Sequence, residues 1–337
     1  MLQTRMAVMA LAMAASAGAF AITLGGGGDA KPVDLGQTFD LATDPAAAAK
    51  TYIVSTGKAK DVKRVGIASF CVAVVTAKGV SGSSSGGTFT RTSTALAGFP
   101  GGVPTGRLKA AADAMYDQFE ADLKAAGIEV VPYEQLAAIP SFQKFASRLV
   151  TTPLEIEEEL DLGKGKSGAN LLVVFSPKGR PFLKDCRQEA PGTMTSKVKL
   201  GYEKDMEGIT LASVKVTLDF AKPIAGGGFL QGAKANLQYG EYFPPGGNDN
   251  GVQFMNKGGF GNYWLKQAIV PAQNPFKEGG TGAVKRTGDY DAASGRTTTE
   301  TTQSTTIDAD HELWGTNAES HMKALGAMYV QALRAGG

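Results

Sequence analysis

Apolar residues run almost unbroken along Val65-Gly66-Ile67-Ala68-Ser69-Phe70-Cys71-Val72-Ala73-Val74-Val75, just after the charged stretch Asp61-Val62-Lys63-Arg64. A run without polar alternation suits a strand covered on both faces. A buried helix is the competing reading, but Ile, Phe and adjacent Val outnumber strong helix formers. The next clear pattern has helical spacing. Leu108, Ala111, Ala112, Met115, Phe119, Leu123 and Ala126 fall on one stripe, and Lys109, Asp113, Asp117, Glu120 and Lys124 on the other side. Thr105 or Gly106 marks the helix start, and Gly127 stands where a left-handed cap is needed. Ile128-Glu129-Val130-Val131 then reads as a strand ended by Pro132. A strand, a helix and a second strand in this order predict parallel pairing with a right-handed crossover.

Elsewhere the pattern is patchier. Asp44-Pro45 predicts a helix over Ala46–Lys50, followed by a short strand at Tyr52-Ile53-Val54. Gly79 to Arg107 carries no core-forming pattern and predicts a loop of about 30 residues. Tyr133 to Leu149 predicts a helix broken at Pro140, and Pro153 to Leu162 another. Ala169 to Phe175 is the second core strand. Lys197–Tyr202, Ile209–Phe220 and Ala233–Tyr239 alternate, as antiparallel strands with one wet face do. Phe243 to Gly288 is rich in Gly, Pro and Asn, with one helix expected at Tyr263–Ile269. Thr297 to Ile307 reads as a threonine-rich strand for an edge or exposed face. Thr316-x-x-Glu319 is a capping box for a last helix running to about Ala335.

These elements predict an α/β (α+β mixed) fold: a mixed sheet flanked by helices. The strands at Ile67 and Val173 would lie side by side, sandwiched by the helices at Met115 and Leu325. The predicted division is a secretory signal peptide at 1–21, a leader at 22–60 and one domain at 61–335. Loop insertions are expected at 79–107 and 243–288.

Composition narrows the function classes. A hydrophobic share of 43% over 337 residues supports a real core. The 44 glycines favour long loops over a compact enzyme scaffold. A formal charge of +2 argues against nucleic acid as a partner. Arg5, the apolar Met6–Ala17 and the small-x-small triplet Ala19-Phe20-Ala21 read as an export signal cleaved after Ala21. An exported chain permits a disulfide between Cys71 and Cys186; two separate thiols are the other reading. No cysteine lies near the cleavage site, so lipid anchoring is not supported.

Chemical motifs are sparse. Gly165-Lys166-Ser167 ends like a phosphate loop, but Leu160 replaces the earlier glycine and the segment precedes a strand. Glu155, Glu157, Glu158, Glu159 and Asp161 read as a solvated helix face. Asp289-Tyr290-Asp291 and Asn248-Asp249-Asn250-Gly251 read as turns, since neither completes a calcium ligand series. His311 and His321 sit in no nucleophile arrangement, with His321 expected to meet a capping partner or solvent. No catalytic residue, cofactor or metal is therefore expected. Phe260, Tyr263 and Trp264, among Gly258, Gly259 and Gly261, form an aromatic patch that either binds a partner or packs a loop onto the domain.

The order of the pieces resembles bacterial envelope domains of the CsgG-like type. The residues that carry it are Phe119-Glu120-Ala121-Asp122-Leu123-Lys124-Ala125-Ala126-Gly127, Ile128 to Val131, Tyr133-Glu134-Gln135-Leu136, Ala169 to Phe175 and Val214 to Phe220. Tyr290 to Arg296, with a turn at Ser294-Gly295, completes the set. The resemblance implies an α/β domain without catalytic residues that works in envelope assembly or secretion, often in rings. Protein partners, homo-oligomers and outer-membrane association follow from it, as does a location in the periplasm, at the outer-membrane periphery or on the cell surface. Two alternatives stand beside it. One is a secreted hydrolase or ligand-binding protein using two of Glu241, Asp249, Asp289 and Asp291 in one cleft. The other is a pore-forming ring inserting a hairpin from Lys197 to Phe220.

Overall fold

The computed structural model describes residues 35–336 except 87–88, 161, 164–165, 185, 187–202, 227–232 and 248. The expected signal peptide and the strand expected at Lys197–Tyr202 lie outside the described residues. Asp44 caps α1 (Pro45–Tyr52), its carboxylate accepting from the backbone N–H of Ala46 and Ala47 at 3.0 Å. The chain continues into β1 (Ile53–Gly57). The leader expected at 22–60 is therefore corrected over its described part, because these elements belong to the domain.

The spine is β2 (Arg64–Gly86), 23 residues long. It turns back into β3 (Phe89–Gly98), with Ala77 to Gly86 paired antiparallel to Gly98 to Phe89. The long loop expected over 79–107 is thus a hairpin for most of its length. Serine and glycine supply no apolar signal, yet their backbone is bonded to β3 throughout and, as far as Gly82, also to the strand at Lys166–Phe175. Next comes α2 (Thr105–Ala125), whose stripe from Leu108 to Leu123 is buried as expected. Gly127, at φ +77°, ends it. Then β4 (Glu129–Val131) pairs parallel with β2 at Arg64–Gly66, the predicted parallel pairing.

Pro132 and Pro140 open two short helices, α3 (Tyr133–Ala137) and α4 (Pro140–Ala146). After β5 (Leu149–Val150), the helix expected at Pro153–Leu162 is instead β6 (Leu154–Leu160), antiparallel to β7 (Lys166–Phe175). Its alternation of exposed Glu155, Glu157 and Glu159 with half-buried neighbours has period two, and pairing with β7 overrides the helix propensity of glutamate. β7 is antiparallel to β2, with Val74 facing Val173, so the two core strands are neighbours. β8 (Phe182–Leu183) pairs with β5.

β9 (Thr210–Gly226) runs parallel to β2 as far as Val74 and Leu218. It then leaves β2 and pairs with β10 (Lys234–Tyr242). The single wet face expected for Ile209–Phe220 is corrected, since every residue of that stretch is buried. The segment expected as a loop at 243–288 holds β11 (Gly251–Asn256), β12 (Gly259–Leu265), β13 (Phe276–Thr281) and part of β14 (Lys285–Asp291). The helix expected at Tyr263 is overridden in the same way: β12 is paired on both sides, with β1 and β11. β15 (Arg296–Ala309) follows the turn at Ser294-Gly295. It is not an edge strand, because β3 flanks it on one side and β13 and β14 on the other. α5 (His311–Gly336) starts five residues before the expected capping box. Asp310 caps it by accepting from the N–H of Glu312 and Leu313, and Thr316 lies inside, its hydroxyl bonded to Glu312 O.

The result is a mixed α/β sheet with helices on both faces. α2 and α5 pack together on one face, over Phe70, Val214 and Phe254. They share a face, so they do not sandwich the sheet. The opposite face carries α3 and α4, where Leu136, Phe142 and Phe145 meet Ala68, Leu211 and Met255. None of the described helices is long and apolar enough to cross a membrane.

Candidate interaction site

Beyond the core, the sheet carries an extension made of the end of β2 with β3, β15 and β14. It is rooted in an aromatic cluster of Phe99, Phe220, Phe276 and Trp314, with ring centroids between 4.7 and 6.3 Å apart. Away from that root the apolar residues stop. Serine, threonine and glycine take over; β10 packs against β2 and β3, and only β14 meets solvent on both faces. All seven residues of β14 are exposed. Tyr290 is 63% exposed and Phe89 39%, two of four large apolar side chains left open among the described residues.

Register decides what each face displays. Residues that face each other across paired strands project to the same side. Phe89 faces Thr297, and Thr297 faces Tyr290, so the two rings share a face, one strand apart. Arg91 and Arg286 lie on that face too, the Arg91 guanidinium 5.4 Å from the Phe89 ring centre. Lys285, Asp289, Asp291 and Glu300 lie on the other face. Arg296, which faces Asp291, also lies on that second face, so both rings share one face and the carboxylates, with Lys285 and Arg296, share the other. At the hairpin end, Asp291 accepts from Ala293 N at 2.9 Å and Ser294 Oγ at 2.6 Å. The Ser294 hydroxyl, then the Ala293 N–H, hold its carboxyl below the usual range.

Two buried polar clusters lie nearer the core. Lys78 Nζ is bonded to Asp219 Oδ2 and donates to Ala221 O at 2.6 Å, while Tyr242 Oη donates to Asp219 Oδ2 at 3.1 Å. Glu241 accepts from Asn317 Nδ2 at 2.9 Å, and burial pushes its carboxyl up to about 8. Sequence reasoning missed Lys78, Asp219 and Asn317; the available signal was a charge embedded in an otherwise buried strand.

Each candidate from the sequence has a definite place. Cys71 and Cys186 are bridged, with Cα atoms 5.7 Å apart. Tyr263 is buried against Phe254, and Phe260 and Trp264 are half-buried on β12, so the aromatic residues form no open patch. Of the two readings of these rings, the structure has the packing one: strand pairing and core packing take them up. Glu241 sits against α5, and Asp249 is half-buried, its carboxyl raised to about 6 by desolvation. Asp289 and Asp291 are exposed on β14. The four carboxylates do not share a cleft. Lys166 and Ser167 are exposed at the start of β7. His321 meets neither solvent nor a cap. It is buried between Phe39 and Phe243 and donates from Nδ1 to Asn317 O at 2.8 Å, while burial lowers its pKa. Among the described residues no three of His, Cys, Asp and Glu are grouped as metal ligands would be. No protein-family model, curated protein or solved structure matches the chain.

Proposed function

We propose that this chain is a non-enzymatic, exported protein of the bacterial cell envelope or surface, acting by protein contacts and self-association in assembly or secretion. The observation that carries the reading is the sheet extension, where β14 is exposed along its whole length. Solvated extensions are tolerated, but a long free strand edge is a template for another chain. The export signal at 1–21 and the CsgG-like order of elements point to the same setting. The scattered carboxylates give a hydrolase less support. A sequence without a converging set of acid, base or nucleophile suits binding better than turnover.

Light scattering coupled to size separation tests the proposal. Assembly above the 34.9 kDa of one chain is expected at micromolar concentration. A strict monomer across a wide concentration range overturns self-association.

A further inference from the structure

We propose that β14 is the strand through which two copies of this chain pair edge to edge; this rests on the self-association reading and names its surface. β14 is bonded to β15 along all seven residues from Lys285 to Asp291. Among the described residues no strand pairs with its other side. That side offers a row of main-chain donors and acceptors to solvent.

The occupant follows from symmetry. Two copies of one strand meeting antiparallel are related by a two-fold axis perpendicular to the sheet. That axis keeps each side chain on its own face. Facing residues must also share a face. A facing pair therefore joins two odd or two even positions, which removes half of all registers. Of the rest, only the register centred on Gly288 sets the whole of β14 against itself. It places Lys285 opposite the partner's Asp291, at both ends. It places Arg286 opposite the partner's Tyr290, a cation against a ring. Thr287 meets the partner's Asp289, and Gly288 meets its own copy.

Neighbouring registers are worse. Centring on Asp289 brings two carboxylates together. Centring on Thr287 sets Lys285 opposite the partner's Asp289 but leaves Asp291 opposite Ala283 and Tyr290 opposite Val284. Opposite charges across a strand pair stabilise and like charges destabilise, and of these three registers only the one centred on Gly288 matches Asp291 with a cation and Arg286 with a ring. The same charges disfavour a foreign edge, which would leave them unmatched. The partner these seven residues fit is thus a second copy of this chain.

Charge exchange tests the pairing in the purified full chain. K285D or D291K alone sets like charges together at both ends and is expected to weaken association by about ten-fold or more. K285D/D291K in one chain restores opposite charges and is expected to restore assembly, which also shows that the single variants did not merely misfold. Disulfide trapping gives an independent reading. A side chain at position 288 meets only ordinary contact, so G288C is sterically tolerated. Facing Cα atoms lie about 4.5–5.5 Å apart, within disulfide reach. G288C is expected to cross-link to its copy on oxidation. Y290C, offset by about 13 Å from its copy, is not. An assembling wild type indifferent to both charge reversals, without a G288C cross-link, overturns the β14 assignment and leaves self-association standing. A wild type monomeric at every concentration overturns both.

Discussion

Lys78 and Asp219 form a buried ion pair at the point where β9 leaves β2. They are 2% and 5% exposed and 141 residues apart in sequence. The parallel register ends at Val74 and Leu218, and the next residue of β9 is Asp219. Its second carboxylate oxygen accepts from the N–H of Phe220 at 2.7 Å and Ala221 at 3.1 Å. Lys78 bonds the Ala221 carbonyl in turn. The pair thus satisfies backbone groups that lose their strand partner where the sheet divides.

Removing one member leaves the other charge buried and alone. Asp219→Ala is expected to cost about 3–5 kcal/mol in urea unfolding. The double variant K78M/D219N removes both charges and keeps an acceptor for the backbone, so it is expected to recover most of that loss. Equal loss in the single and double variants would show that the charge pairing is not what stabilises this junction.

Glu241 makes stability depend on pH. Its folded-state pKa, about 8, lies above its ordinary value of 4.5 because of desolvation, with Asn317 opposing. The folded state then holds a proton that the unfolded state releases. The contribution is full below about pH 4.5 and is lost as pH rises towards 8. Its total is on the order of 4–5 kcal/mol. Asp249, at about 6, adds the same sign at lower pH. Glu241→Gln, which keeps the acceptor for Asn317, is expected to flatten the fall in unfolding free energy between pH 5 and 8. An unchanged slope would place the pH dependence elsewhere.

The Cys71–Cys186 bridge closes a span of 115 residues and ties β2 to the segment after β8. In the chain-entropy view, loops of this length gain about 4–5 kcal/mol. Cys186→Ser is expected to lower Tm clearly, and reductant is expected to lower the wild type to a similar value. A variant that melts with the wild type in the absence of reductant would show that the bridge contributes nothing.

Two glycines with left-handed backbone separate strain from crowding. Gly127, at φ +77°, has open space where a Cβ would stand, so Gly127→Ala is expected to cost only about 1 kcal/mol of backbone strain. Gly57, at φ +70°, would set a Cβ 2.4 Å from the Phe260 carbonyl. Gly57→Ala is therefore expected to be clearly more destabilising and to disturb the pairing of β1 with β12. Equal losses in thermal unfolding would contradict this.

Residues Val65 to Val75 announce their strand because both faces are buried there, and burial on both faces demands an apolar run. Leu108 to Leu123 announce a helix because one stripe packs and the rest is wet. Ser81 to Ser85 announce nothing, since they are held by backbone pairing that leaves no mark on side-chain hydrophobicity. Glu155 to Glu159 point the wrong way, because local propensity favours a helix and the edge of β7 makes them a strand. Tyr263 read as either a binding or a packing residue and is core, since an aromatic ring reads alike in either place. The candidate interaction strand was legible as a turn-like Asp289-Tyr290-Asp291 and, through the resemblance, as the start of the late segment Tyr290 to Arg296.

Sequence alone determined the core strands, the two long helices and the crossover between them, because periodic burial is a local property written in consecutive residues. Tertiary structure decided which strands share an edge, which charges are buried together and that β14 stands free. Those depend on contacts between separate segments, as far apart as Lys78 and Asp219, and no single element's pattern records them.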